Sequence, residues 1–148
     1  MKALGIIIGI LGFLLLITFH EWGHFMAAKM VGVSVNEFSV GMGPLIWQKE
    51  TNNTMYSIRA LPIGGYCALE GEEEESDNPK SFSKAGFLKK FVILVAGSFN
   101  NLLLGLIILL CVYGYIASGL ETKIGFLRVL EVAWNDFIGI AGMIFSFL

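Results

Sequence analysis

Residues 4–24 read LGIIIGILGFLLLITFHEWGH, and this stretch decides how the chain is built. Fifteen residues from Leu4 to Thr18 carry no charge; the chain's only two histidines, His20 and His24, then follow four apart, with Glu21 beside the first. The apolar character resumes after the motif as FMAA before Lys29. The pattern predicts one helix over roughly residues 3–29, about 40 Å long at 1.5 Å per residue and enough to cross a bilayer with some tilt. A signal peptide is the competing reading, since a single lysine followed by an apolar core also fits one. Against it, no small-x-small cleavage site precedes a polar mature start, because the HEWGH motif itself comes next.

Composition agrees with a bilayer as the solvent. Of 148 residues, 55% are hydrophobic and only 15% charged, against about 25% charged in an average globular domain, and the mean hydropathy is +0.72. The apolar residues gather in blocks instead of following a helical or strand period throughout. A net charge of −2, with no basic stretch interleaved with aromatics, sets nucleic-acid binding aside. Cys67 and Cys111 fall in different segments without CxxC spacing and read as unpaired thiols or small packing residues.

A second uncharged run, FVILVAGSFNNLLLGLIILLCVYGYIA, covers residues 91–117 and predicts another spanning helix. Its Asn100 and Asn101 lie in the first half, where an amide facing lipid would lose its hydrogen bonds to water, so they should face protein. The C-terminal stretch from Ile124 to Leu148 carries Arg128, Glu131 and Asp136 on one broad side of a helix, with Phe126, Leu127, Leu130, Ala133 and Trp134 on the other. That pattern fits an amphipathic interfacial helix leading into a truncated or re-entrant segment.

Between the two long runs, Lys29, Lys80, Lys84, Lys89 and Lys90 lie near the membrane ends of the insert, while Lys2, Lys123 and Arg128 flank the other side. The positive-inside rule therefore puts the insert in the cytoplasm. Glutamates at 70 and 72–75, with Asp77, read as a solvated, mobile loop. VSVNEFSVGMG alternates polar and apolar residues, LIWQKETNNTMYSIRALPIGGY reads as two strands turned at Asn52-Asn53, and Gly64-Gly65 marks a tight turn or bulge before a short strand at Tyr66–Leu69. The expectation is a mainly α integral membrane protein: a first transmembrane helix carrying HEWGH over 1–30, a β-rich cytoplasmic or re-entrant insert over 31–70, an acidic then basic loop over 71–90, a second transmembrane helix over 91–118, and a truncated amphipathic segment over 119–148.

The motif carries the chemistry. On a helix, residues i and i+4 share a face, so His20 and His24 can bind one metal ion while Glu21 reaches the attacking water. Zinc polarises such a water and lowers its pKa toward neutrality; the glutamate takes the proton and later delivers it to the leaving amine, which hydrolyses a peptide bond. In soluble helices a match of this size is usually a surface accident. Here it continues a charge-free run, where an ionised Glu costs on the order of 2–3 kcal/mol unless it has partners. Trp22 and Phe19 read as ordinary surface and packing aromatics, and Gly23 as a site of close helix approach.

FHEWGHFMAAKMVGVSVNEFSVGMGPLIW, followed by Tyr56-Ser57-Ile58-Arg59, ALPIGGY and FSKAGFLKKFVILVAGSFNNLLLG, closely resembles the site-two protease family of intramembrane zinc metalloproteases, in particular the bacterial regulator-of-sigma-E branch. The match runs in order over residues 1 to about 118. The resemblance implies His20 and His24 as zinc ligands and Glu21 as the catalytic glutamate. It implies that Glu37–Tyr66, with Gly64 and Gly65, forms a membrane-re-entrant β-structure that pairs with an extended substrate. Gly97 to Asn101 then reads as the family's GxxxN element, with Gly97 and Asn101 on the substrate side and Asn101 holding the substrate or the developing oxyanion; an interhelical amide hydrogen bond is the alternative for Asn101. Ser98 stands where family members often have proline. The implied partners are the lipid bilayer and a transmembrane helix substrate, such as an anti-sigma factor or a remnant signal peptide. The implied location is multi-pass in a bacterial inner or plasma membrane.

One element of that pattern is missing: the later helix whose LDG motif supplies a third zinc ligand. Asp136, Glu131 and the acidic loop are the candidates within this chain, none in an LDG setting. The chain therefore reads as a truncated or internally deleted form joined near Gly125-Phe126. A catalytically inactive membrane protein that binds substrate helices without cutting them, and a small metal transporter using the two histidines as a transit site, are the alternative functions.

Overall fold

The computed structural model describes residues 2–119 and 126–146. The elements follow in the order α1 (Lys2–Val31), β1 (Val35–Thr51), β2 (Thr54–Leu69), α2 (Phe87–Gly119) and α3 (Phe126–Ser146). Lys123, used above in the orientation argument, and the junction at Gly125 lie outside the described residues. The chain divides between Asn101 and Leu102 into two compact units, so that α2 contributes to both.

In the first unit, α1 continues unbroken through the HEWGH motif, as its uncharged run predicts. It stops where Gly32 takes φ +81°. Gly32 N–H then bonds to the Lys29 carbonyl at 3.3 Å and Val33 N–H to the Ala28 carbonyl at 2.9 Å, the paired closure that a left-handed glycine makes possible at a helix end. Leu4, Ile6, Ile8, Leu11 and Phe13 are each more than half exposed. By length and composition both α1 and α2 could cross a membrane.

α2 begins at Phe87, four residues before the expected start, because the basic run joins the helix instead of preceding it. Lys90 N–H bonds to the Gly86 carbonyl at 3.2 Å, and the Lys90 ammonium donates to the Ser83 carbonyl at 3.0 Å while lying over the Phe82 ring.

The insert is a two-stranded antiparallel sheet in which the alternating segment and the expected strands merge into two long ones. Asn52 and Asn53 turn the chain with φ of +53° and +59°, the left-handed pair that a two-residue hairpin requires and that Asn tolerates. The register bends each strand back on itself. Residues 48–51 pair with 54–57, while Glu37–Val40 pairs antiparallel with Gly65–Ala68 and also lies against Met55–Ile58. Gly41 and Gly43, at φ +83° and +82°, make the bend in β1, and a Cβ on Gly41 would fall 2.6 Å from the Leu61 carbonyl oxygen. Arg59 fastens the fold-back, donating to Glu37 Oε1 at 3.0 Å, the Tyr66 hydroxyl at 2.7 Å and the Gly43 carbonyl at 3.0 Å. Burial alone would raise the Glu37 carboxyl; hydrogen bonds from Ser57, Tyr66 and Arg59, with the Arg59 charge, outweigh it and hold Glu37 below the usual carboxylate range. The contribution of this network is therefore present above the unfolded carboxylate pKa and is lost as pH falls through the lower folded one.

The acidic stretch from Glu70 to Asp77, expected as a solvated loop, is exposed at residues 72–75 and leads into a chain of bonded turns. Ser76 Oγ donates to Glu70 Oε1 at 2.5 Å, Lys80 N–H to Asn78 Oδ1 at 2.9 Å, and Phe82 N–H to the Glu70 carbonyl at 2.6 Å. The core of the unit sits just beyond the motif: Ala27, Ala28, Val33, Val35, Leu69 and Ile93 are buried together, with Phe25, Cys67, Phe82 and Ala96 packed around them.

In the second unit, α3 buries Ala133 of its expected apolar side. Val129 and Ala133, one turn apart, are the buried pair, whereas Leu127, Leu130 and Trp134 are exposed. Arg128 pairs with Glu131 at 3.1 Å, and the Tyr113 hydroxyl donates to Asp136.

Ile93, 1% exposed, is the one α2 side chain among the described residues that is buried in this core. Ile93→Ala should cost about 2–4 kcal/mol through the cavity it leaves, read as a lower midpoint in denaturant unfolding in detergent, whereas Leu94→Ala, at an exposed site, should move that midpoint little.

Candidate functional site

α1 brings the imidazoles of His20 and His24 onto one face, and α2 closes over that face. The two Nε2 atoms approach to 3.1 Å. Two imidazoles bound to one tetrahedral ion at about 2.0–2.1 Å would hold their nitrogens about 3.3 Å apart, so the spacing suits a metal ion held between them. His24 Nδ1 lies 2.7 Å from the Ile93 carbonyl oxygen. Only a protonated Nδ1 can donate to a carbonyl, so this bond leaves the Nε2 lone pair free to ligate. The Ile93 side chain is anchored in the core, so the same residue that packs the unit orients the histidine.

The close approach depends on two glycines. A Cβ on Gly23 would fall 2.5 Å from the Ala96 carbonyl oxygen and 2.9 Å from Asn100 Cβ. A Cβ on Gly97 would collide with His24 Nε2 and sit 2.7 Å from His20 Nε2. Gly97 thus lies directly against the ligating edge of both rings. Between them, the Asn100 amide donates to the Phe19 carbonyl, so an amide inside an apolar helix is satisfied by the neighbouring helix. Asn101, expected on the substrate side, has its amide nitrogen 3.4 Å from His20 Nδ1, and its Oδ1 is buried without a partner.

Glu21 faces the other way, into an open cavity of about 940 Å³ that it lines together with Tyr66, Cys67, Glu70 and Glu72. An open cavity of that size with several carboxylates in its lining admits water, which removes most of the cost of an ionised carboxylate at the end of an apolar run. β2 supplies the wall at Tyr66 and Cys67; Gly64 and Gly65 just before them abut Met42 Sδ and the Ser39 carbonyl, inside the sheet. Burial pushes the Cys67 thiol up to about 12, with the negative charges of Glu21 and Glu72 adding to the effect and Lys29 opposing it. At neutral pH Cys67 is a protonated thiol and a poor metal ligand.

Among the described residues, no third His, Cys, Asp or Glu completes a metal-binding group with the pair. Of the sequence candidates, Asp136 accepts from Tyr113, Glu131 pairs with Arg128, and Glu70 of the acidic loop takes Ser76. The structure thus joins His20, His24, Gly97 and Asn101 at one point, with Glu21 at the adjoining cavity. Sequence reading missed the Ile93 carbonyl, for which a backbone group offers no signal, and the cavity wall at Tyr66 and Cys67, which only strand register brings to Glu21.

Gly97→Ala should abolish metal binding to the histidine pair, measured by competition with a chromophoric chelator. Gly12→Ala, at a helical position with nothing within 4 Å of the new methyl, should leave it unchanged.

Comparison with known proteins matches this arrangement to a family. The chain is 44% identical over 114 residues to a Clostridium acetobutylicum protein assigned by inference as a zinc metalloprotease, covering 77% of this chain and 33% of that protein. A Fusobacterium nucleatum protein with the same assignment is 45% identical over 95 residues, covering 64% and 28%. The zinc metalloprotease RasP of Shouchella clausii is 51% identical over 63 residues, covering 43% and 15%. The chain spans about a third or less of the length of these curated relatives. With residues 8–148 matching the profile of peptidase family M50, the chain belongs to that family, the site-two proteases.

Proposed function

We propose that this chain carries the zinc-binding, proton-transferring half of an intramembrane metalloprotease, which hydrolyses peptide bonds inside transmembrane segments of regulatory membrane proteins. The observation that carries the reading is the pair of histidine Nε2 atoms 3.1 Å apart on a helix whose earlier turns expose apolar side chains in every direction. Such a helix needs lipid around it. His20 and His24 hold zinc through Nε2. When bound, zinc polarises water and the scissile carbonyl. Glu21, beside a cavity open to water, takes the proton of the attacking water and returns it to the leaving amine. The exposed apolar part of the insert, with Met42, Leu45, Trp47, Leu61 and Ile63, lies at the membrane and meets an extended substrate, with Gly64 and Gly65 behind it and Gly97 on the opposite side. The protein is multi-pass in a bacterial inner membrane, and its substrate is a single transmembrane helix such as that of an anti-sigma factor or a remnant signal peptide.

A second reading, a membrane protein that binds such helices without cutting them, is favoured by one observation: among the described residues nothing completes the histidine pair.

The purified chain in detergent should bind about one zinc ion per molecule. Glu21→Gln should keep the metal and abolish hydrolysis of a model transmembrane substrate. A wild-type chain that binds no zinc overturns the proposal; chelator-sensitive cleavage by the wild type excludes the second reading.

A further inference from the structure

The two histidines are fixed unequally. His24 has the Ile93 carbonyl at 2.7 Å on Nδ1, a bond that settles its tautomer. At Nδ1, His20 has, among the described residues, the Asn101 side chain, with the amide nitrogen 3.4 Å away, while Asn101 Oδ1 is buried and unpaired. If His20 ligates through Nε2, its Nδ1 must carry the proton, and two donors then face each other across 3.4 Å. A half-turn of the amide about Cβ–Cγ corrects both faults together: Nδ1–H gains an acceptor, and the orphaned oxygen gains a donor.

We propose that Asn101 is a positioning residue for His20, accepting a hydrogen bond from Nδ1–H through Oδ1 and thereby aiming Nε2 at the metal. It plays for His20 the part that the Ile93 carbonyl plays for His24. On this proposal α2 supplies both outer partners of the α1 histidine pair, one from its backbone and one from a side chain two turns on, with Gly97 between them keeping the helices close. Direct support of a substrate oxyanion would instead use the amide as a donor and leave the metal indifferent to the residue. The inference rests on the zinc reading above.

The test is zinc affinity of the whole chain in detergent for wild type, Asn101→Ala and Asn101→Asp. Aspartate keeps an acceptor at this position and removes the donor. Asn101→Ala should weaken zinc by about 10–100-fold, the usual loss when an outer partner of a ligating histidine is removed, while Asn101→Asp stays within about 3-fold of wild type. With 15N-histidine labelling, the zinc-loaded wild type should show both rings in the Nδ1–H tautomer with slowly exchanging protons, and Asn101→Ala should lose that protection at one ring only. Equal zinc affinity in wild type and Asn101→Ala overturns this proposal alone, as does a loss in Asn101→Asp equal to that in Asn101→Ala. A wild-type His20 protonated at Nε2 in the zinc-loaded protein overturns it without recourse to any variant. Failure of the wild type to bind zinc overturns the zinc reading and this proposal with it.

Discussion

Close contact between the first part of α2 and the motif face of α1 is the constraint on which the site depends. It is made possible by two missing side chains. Gly23 lets the Ala96 carbonyl and Asn100 approach α1, and Gly97 lets α2 lie on the edges of both imidazoles. Any Cβ at either position would push the helices apart by a substantial fraction of a carbon radius, and interiors do not absorb such a shift smoothly. Once the helices are that close, the carbonyl of Ile93 falls within 2.7 Å of His24 Nδ1 and the Asn100 amide reaches the Phe19 carbonyl. Small residues and buried amides are the means by which helices without a hydrophobic drive between them hold together in lipid.

The core beyond the motif makes this contact specific. Ile93 is buried against Ala27, Ala28, Val33, Val35 and Leu69, so α1, the start of β1, the end of β2 and α2 share one packed point. Its backbone oxygen is therefore held in place by the same packing that holds the sheet. β2, running back from the Asn52-Asn53 turn, then lines the Glu21 cavity with Tyr66 and Cys67. The histidine pair and the carboxylate beside His20 meet different surroundings on α1: α2 against the imidazoles, an open cavity beside Glu21.

The outline of the fold was legible in residues whose chemistry leaves few choices. Two uncharged runs gave α1 and most of α2, and Asn52-Asn53 gave the hairpin turn, because left-handed backbone is costly for nearly every other residue. The boundaries were less legible. Lys89 and Lys90 looked like the edge of a span but form the first turn of α2, since lysine is a good helix former and its ammonium finds the Ser83 carbonyl. On α3, Ala133 of the expected apolar side is buried with Val129 one turn away, whereas Leu130 and Trp134 of that side are exposed. The acidic run is solvated as expected, with residues 72–75 exposed, while its serine and asparagine neighbours tie the segment into turns.

For the site, the sequence by itself determined the His20-Glu21-His24 constellation, because an i, i+4 spacing on any helix puts both imidazoles on one face, and an ionisable triplet continuing an apolar run has little reason to persist without a task. Only the tertiary structure decided what surrounds it. The partner of His24 is a backbone carbonyl that no side-chain pattern can announce. The neighbour of His20 is Asn101, 81 residues away, brought there by a helix contact that depends on glycines whose importance shows only when a Cβ is placed on them. The open cavity beside Glu21 is made by strand register and bonded turns. Local spacing is encoded by the helix repeat, whereas the approach of separate elements depends on packing summed over many residues, and that sum exists only in the folded chain.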